Sequence, residues 1–200
     1  WLAVAKAADT AAWPAAVRCD LPDWLYERLA ARFPGDIEAL ATALNRPAPL
    51  DLRVNPLKTS REAVLRQLAS DHIAAAASPW SPLGIRLEEK PALSKYPLFV
   101  DGSIEVQDEG SQLLGYLVAP KRGEMVADFC AGAGGKTLLL GALMRSTGRL
   151  YAFDVAEKRL ANLKPRLARS GLSNVHPVRI ESENDQKVKR LAGKLDRVLV

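Results

Sequence analysis

The segment Asp128-Phe129-Cys130-Ala131-Gly132-Ala133-Gly134-Gly135-Lys136-Thr137 joins a continuous apolar run, residues 125–129, to an apolar-periodic stretch that begins at Thr137. Small residues between a buried strand and a helix let a ligand approach the backbone, and the free amides of the helix start can hold its polar groups. The same run also serves as a tight turn that merely needs glycine. Spacing narrows the ligand. A P-loop needs Gly, four residues, then Gly-Lys-Ser/Thr; Gly135-Lys136-Thr137 supplies the second half, but the first glycine falls on Cys130. A dinucleotide loop fits Gly132 and Gly134, yet Thr137 stands where a third small residue belongs. About 20 residues on, Asp154 closes the next apolar run, where a carboxylate can grip a ribose diol. An acid there beside an incomplete phosphate signature suits S-adenosylmethionine, which has a ribose and no phosphate. A strand-end aspartate is also ordinary by itself.

The surrounding pattern predicts what positions these residues. Residues 150–153 read as a second strand ending at Asp154, 156–169 as a helix closed by Ser170-Gly171, 175–180 as a third strand, 186–192 as a helix and 196–200 as a fourth strand. Repeated strand–helix units with apolar strands imply a parallel sheet covered on both faces, a Rossmann-like α/β domain over residues 120–200. Residues 49–119 read as a small α+β module. Leu50, Leu52 and Val54 alternate with Asp51, Arg53 and Asn55 as in a half-buried strand. Thr59 with Glu62 suggests a capping box; 84–89 and 98–106 suggest strands and 107–118 a helix. Residues 1–48 read as helical, with starts at Asp20-Leu21-Pro22-Asp23 and at Asp36 and a stop at Pro34-Gly35.

Composition sets outer limits. Hydrophobic residues are 48% and charged residues 26%, as in globular proteins, and no apolar run approaches the ~20 residues of a membrane span. Two cysteines, Cys19 and Cys130, give no disulfide framework, so a reducing, cytoplasmic setting is expected. Cys130 beside a helix start is a candidate low-pKa nucleophile, although a small buried thiol is the commoner case. His72 and His176 are isolated, and no metal is expected. The net charge of +5 favours a polyanionic partner. Lys158, Arg159, Lys164, Arg166 and Arg169 lie along one expected helix, and Lys187, Lys189, Arg190 and Lys194 along the next; such runs are commonly solvated faces but add to a field useful for RNA. The absence of an initiator Met and the ending inside an expected strand suggest a fragment.

DFCAGAGGKT resembles the D-x-C-A-A-P-G-G-K-T cofactor loop of the Sun/Fmu-type (RsmB-like) RNA cytosine-5 methyltransferases. LRVNPLKTS at 52–60 with its preceding residues, VQDEGSQL at 106–113 and AFDVAEKRL at 152–160 resemble three further elements of that family in the same order. Ala133 departs from the pattern, standing where the family usually has Pro. The resemblance implies an RNA-recognition-like module at 49–119 and a Rossmann-like methyltransferase domain truncated after its fourth strand. It implies S-adenosylmethionine held by Cys130, Ala131, Gly132, Ala133, Gly134, Gly135 and Lys136, with Asp154 on the ribose and Asp185 the chosen acid near the adenine, ahead of Glu181, Ser182 and Glu183. Gln107 and Arg53 match family positions without an assigned role. It also implies methyl transfer to C5 of cytosine in RNA, ribosomal RNA foremost, by a monomer without metal, the catalytic cysteines being expected beyond Val200. A methyltransferase acting on protein or a small molecule, and a non-catalytic RNA-binding factor, stay open. The module lacks the aromatic stacking signature of a classical RNA-recognition motif, favouring backbone and shape contacts.

Overall fold

The computed structural model of the chain describes residues 10–200; the part of the expected helical segment on residues 1–9 lies outside the described residues. The chain divides into two compact units, Trp1–Ala48 and Pro49–Val200. In the first, α1 (Ala15–Arg18), α2 (Asp23–Arg32) and α3 (Ile37–Leu44) bury Ala16, Cys19, Ile37 and Ala41. Asp23 lies in the first turn of α2, where an acid suits the positive end of the helix dipole. Asp36 precedes α3 as expected, but its side chain makes no capping bond. Arg18 pairs with Glu38 at 2.7 Å.

The second unit holds two four-stranded sheets. The first is antiparallel, with strands β1 (Leu50–Val54), β2 (Ala75–Ala77), β3 (Gly84–Leu87) and β4 (Ile104–Val106) in the order β2-β3-β1-β4. Leu52, Val54, Ile85, Leu87 and Ile104 make one apolar face, packed with Val64 and Leu68 of α4 (Arg61–Ser70). The second sheet is parallel: β5 (Met125–Asp128), β6 (Arg149–Asp154), β7 (Val175–Arg179) and β8 (Arg197–Leu199) run in the order β7-β6-β5-β8. Chain order therefore reverses at β5, with β6 on one side and β8 on the other, the Rossmann-like arrangement that the strand–helix repeat implies. Pro177 sits in β7, an edge strand of the described sheet, where a missing donor is tolerated. Helices α7 (Gly135–Leu143) and α8 (Glu157–Ser170) supply Leu138, Leu140, Leu160 and Leu163 to the core that covers Val126, Leu150 and Ala152. Helix α5 (Pro97–Val100) lies between β3 and β4, α6 (Glu109–Val118) connects the two sheets, and a short α9 (Gln186–Lys189) follows β7. Among the described residues no helix is long and apolar enough to cross a membrane.

Several local expectations change. Strand β1 is not half-buried: Asp51, Arg53 and the following Asn55 are all buried, Asp51 under Arg86 and the start of α6, Arg53 and Asn55 against the glycine loop and the end of α8. The expected strand over 98–106 splits into helix α5 and strand β4. Pro97 takes the first helical position after extended Tyr96, and Gly102, at φ +77°, turns the chain where an added Cβ would stand 2.3 Å from the Arg169 carbonyl. The cap of α4 is Ser60, whose hydroxyl accepts the Ala63 N–H at 3.2 Å, one residue on from Thr59. Strand β2 has no counterpart in the sequence pattern because three alanines carry no alternation; pairing with β3 defines it. The helix expected over 186–192 is limited to Gln186–Lys189.

Candidate functional site

The glycine loop leaves β5 at its carboxyl end and enters α7, as its position between strand and helix requires. Asp128 is buried, and its Oδ2 accepts the Thr137 hydroxyl at 2.7 Å, tying the last residue of the strand to the first turn of the helix across the loop. Burial holds the Asp128 carboxyl above its ordinary range, opposed by the Thr137 bond and by Lys136. Within the loop, the Ala131 N–H donates to the Phe153 carbonyl of β6 at 2.9 Å and the Gly134 N–H to the Ala131 carbonyl at 2.8 Å. Gly132 has φ +55° with nothing within 4 Å of an added Cβ, whereas Gly134 has φ +86° and its Cβ would stand 2.1 Å from Leu163 Cδ1. The two glycines therefore serve different needs: Gly132 borders open space, and Gly134 lets α8 pack against the loop.

Asp154 ends β6 and is buried. Its Oδ2 accepts the Gly132 N–H at 2.8 Å and its Oδ1 the Ala156 N–H at 2.7 Å, so the carboxylate latches the loop to the start of α8. Each oxygen keeps a further lone pair for a ligand hydroxyl. Around it, at the carboxyl ends of β5, β6 and β7, opens a cleft of about 310 Å³ lined by Phe129, Cys130, Asp154, Val155, Arg159, Ile180, Glu181, Ser182 and Glu183. Cys130 and Asp154 thus share one cleft, and Gly132 is bonded to its wall. Ala131, Ala133, Gly134, Gly135 and Lys136 continue the loop behind it. Asp185 is placed elsewhere: its Oδ1 accepts the Lys187 N–H at 2.8 Å and its Oδ2 the Glu181 N–H at 3.1 Å, capping α9. Those backbone bonds hold its carboxyl below the ordinary range. The acids facing the cleft after β7 are Glu181 and Glu183, the alternatives to Asp185 in the sequence. Cys130 is exposed, not a buried thiol.

Residues without an assigned role prove to hold the loop from outside. Arg53 Nη1 donates to the Gly135 carbonyl at 2.6 Å and to Gln107 Oε1. Burial lowers its pKa to about 10, with Glu105, its cross-strand partner, opposing the shift. Asn55 donates to the Gly102 and Ser170 carbonyls at 3.1 and 2.9 Å. Buried Glu105 accepts both Arg166, at 2.8 and 3.0 Å, and Arg169, at 2.7 and 3.0 Å. These two arginines are therefore engaged inside the unit and do not belong to a solvated or RNA-facing run. Gln107-Asp108-Glu109 and Ser111-Gln112 form a clasp: Asp108 caps α6 through the Ser111 N–H at 2.9 Å, Glu109 accepts the Trp80 and Ser81 N–H groups at 2.7 and 2.8 Å, and Gln112 donates to the Leu52 and Gln107 carbonyls at 3.2 and 2.8 Å. The signal for the buried contacts of Asp51, Arg53 and Glu105 lay in the sequence as opposite charges recurring along strands, but polarity alone reads as solvent exposure.

The chain matches the model of the RsmF/B-like methyltransferase ferredoxin-like domain over residues 21–94 and that of 16S rRNA methyltransferase RsmB/F over residues 115–200. It is 37% identical over 151 residues to ribosomal RNA small subunit methyltransferase B of Sodalis glossinidius, covering 76% of the chain and 35% of that protein. With the enzyme of the same name from Erwinia tasmaniensis it shares 38% over 149 residues, covering 74% of the chain and 34% of that protein. The chain thus spans about a third of the length of these relatives. A solved methyltransferase homologue from Pyrococcus horikoshii superposes with a TM-score of 0.82 at 31% identity, over 92% of the chain and 60% of that structure.

Proposed function

The chain belongs to the RsmB/F family of 16S rRNA methyltransferases, and from that premise we propose that it forms the donor-binding part of an enzyme that transfers a methyl group from S-adenosylmethionine to C5 of a cytosine in ribosomal RNA, acting as a cytoplasmic monomer. The observation that carries this reading is the cleft in which Asp154, the Gly132 edge of the loop and the acidic exit of β7 meet. Its residues fit the donor. Gly132 leaves open space, Asp154 keeps acceptor capacity for a ribose diol, and Asp154, Glu181 and Glu183 outnumber Arg159, which suits a ligand bearing a sulfonium and an ammonium. Thr137 is committed to Asp128, and Cys130 stands where a P-loop needs glycine, so a phosphate cradle is not built here.

When bound, the donor supplies an electrophilic methyl group on sulfur. The part of this chain is to hold and orient: Asp154 grips the ribose, the loop from Cys130 to Lys136 wraps the methionine end, and Ile180 with Phe129 gives the cleft apolar walls. C5 of cytosine becomes nucleophilic once a thiolate adds to C6. Cys130 lies on the wall of the donor cleft and Cys19 is buried in the helical unit, so neither is assigned that task. The exposed cations Lys158, Arg159, Lys164, Lys189, Arg190 and Lys194 supply the field for RNA phosphates.

Calorimetry on the full-length protein with S-adenosylmethionine and with ATP tests the site. The methyl donor should bind and ATP should not, and Asp154→Ala should weaken donor binding by about 1.5–3 kcal/mol, or one to two decades. Unchanged affinity in folded Asp154→Ala, or binding of ATP in place of the donor, refutes the reading. Nucleoside analysis of ribosomal RNA incubated with protein and donor should yield 5-methylcytidine; methylation at another position overturns the C5 assignment.

A further inference from the structure

We infer that Arg166 is a positioning residue for the loop, held by Glu105 of the antiparallel sheet, so that the small module sets how well the donor cradle is formed. The inference rests on reading residues 130–136 as that cradle. On its cleft side the loop is tied by Asp154, which takes the Gly132 N–H. On its other side two carbonyls are taken by guanidinium groups. Ala133 accepts Arg166 Nη1 at 2.8 Å, and Gly135 accepts Arg53 Nη1 at 2.6 Å. Between them lies Gly134 in its left-handed conformation. The carbonyls that flank the sharpest bend of the loop are thus both fixed by charge-assisted bonds, roughly twice as strong as neutral ones.

Both arginines trace back to the antiparallel sheet. Arg53 lies on β1, opposite Glu105 of β4 in the strand register. Arg166 lies on α8, and its Nε and Nη2 fork onto Glu105 Oε2 at 3.0 and 2.8 Å, which leaves only Nη1 to reach the loop. A planar fork clamped at two nitrogens points its third in a fixed direction. Glu105 is 4% exposed and is paired on both oxygens, so it cannot swing away without leaving charge unpaired in the interior. A shift of β4 would therefore be felt at Ala133. At that position Ala leaves the backbone freer than Pro would, and the arginine supplies the restraint from outside.

The structure contains its own control. Arg169 pairs with the other oxygen of Glu105, its side chain is 21% exposed against 20% for Arg166, and its guanidinium lies over the Phe99 ring and makes no hydrogen bond to the loop among the described residues. Amide hydrogen exchange on the full-length protein without added donor compares wild type, Arg166→Met and Arg169→Met. Arg166→Met should raise exchange across residues 131–136 by about ten-fold, and calorimetry should show S-adenosylmethionine binding weakened by roughly five- to twenty-fold. Arg169→Met should lower the melting temperature comparably and leave loop exchange unchanged. Ala133→Pro in the Arg166→Met background should recover part of both losses. Ala133 is not among the residues with positive φ, and its N–H makes no hydrogen bond among the described residues, so a ring there removes freedom without breaking a bond. Should Arg166→Met fail to fold, Arg166→Lys, which keeps the charge and loses the fork, should show the same loop-specific change in smaller degree. Loop exchange unchanged in the Arg166 variants, or raised equally by Arg169→Met, overturns the inference. Wild-type protein that does not bind the donor would sink the cradle reading, while the exchange comparison would still judge the brace.

Discussion

Gly134→Ala separates packing from ligand space. At φ +86° an alanine is held in the left-handed region, at a cost of roughly 1–2 kcal/mol. Its Cβ would also stand 2.1 Å from Leu163 Cδ1 and 3.1 Å from Cγ. Leu163 is fully buried in the core with Leu160 and Leu138, so it can yield only by displacing neighbours, which costs about 1–3 kcal/mol more. The two contributions sum to about 2–5 kcal/mol, a large part of the stability of a domain this size. Gly132→Ala meets nothing within 4 Å and carries only the conformational cost, about 1–2 kcal/mol. Urea unfolding of the full-length protein should therefore show the midpoint falling much further for Gly134→Ala than for Gly132→Ala, with unchanged slope. Calorimetry on the folded fraction should show the opposite order, the Gly132 variant losing more donor affinity. A Gly134→Ala protein of native stability that had lost donor binding would falsify the packing account and place that glycine against the ligand.

Two further outcomes follow from the charges. Filter binding of full-length protein to ribosomal RNA should weaken steeply with salt, and each phosphate no longer neutralised in Lys158→Gln or Lys164→Gln should flatten the slope by about 0.7–0.9; salt-independent binding would refute the electrostatic role. Burial raises the folded-state pKa of Asp128 above its unfolded value, so the stabilisation it gives is fully present below the unfolded value and is lost as pH rises through the folded one. Asp128→Asn, which can still accept the Thr137 hydroxyl, should remove that slope in acid unfolding curves measured against wild type. A difference curve that is flat with pH, or that slopes the other way, counts against a raised pKa.

The α/β half of the chain was legible because its signals are local. Strand, glycine loop and helix follow one another within residues 125–143, and Gly171 closes α8 in the left-handed conformation expected of a helix exit. Asp154 and Cys130 could be brought to one cleft on strand-end logic alone. What stayed hidden depends on partners far along the chain. Glu105 and Arg166 are separated by 61 residues, so neither the burial of β1 on its polar face nor the withdrawal of Arg166 and Arg169 from the surface has a signature in periodicity. The choice of Asp185 failed to reach the cleft for a smaller reason: the chain turns after Ile180, and an Asp followed by a short helix is taken up as its cap. Residues 98–106 misled because apolar runs do not reveal where a Pro starts a helical turn.

Strand β1 is shared by two cores. Its leucine and valine side chains complete the antiparallel module, while Arg53 and Asn55 complete the loop and the end of α8 in the parallel one. A module with this arrangement cannot be exchanged as a cassette. A chimaera cut near residue 119 that replaced the small sheet with a foreign one would strand Arg166 and Arg169 beside a missing carboxylate and leave the Gly135 and Ser170 carbonyls without donors. Transplanting the antiparallel module onto another Rossmann-like domain would thus require moving Arg53, Asn55 and Glu105 together with residues that answer them on the recipient.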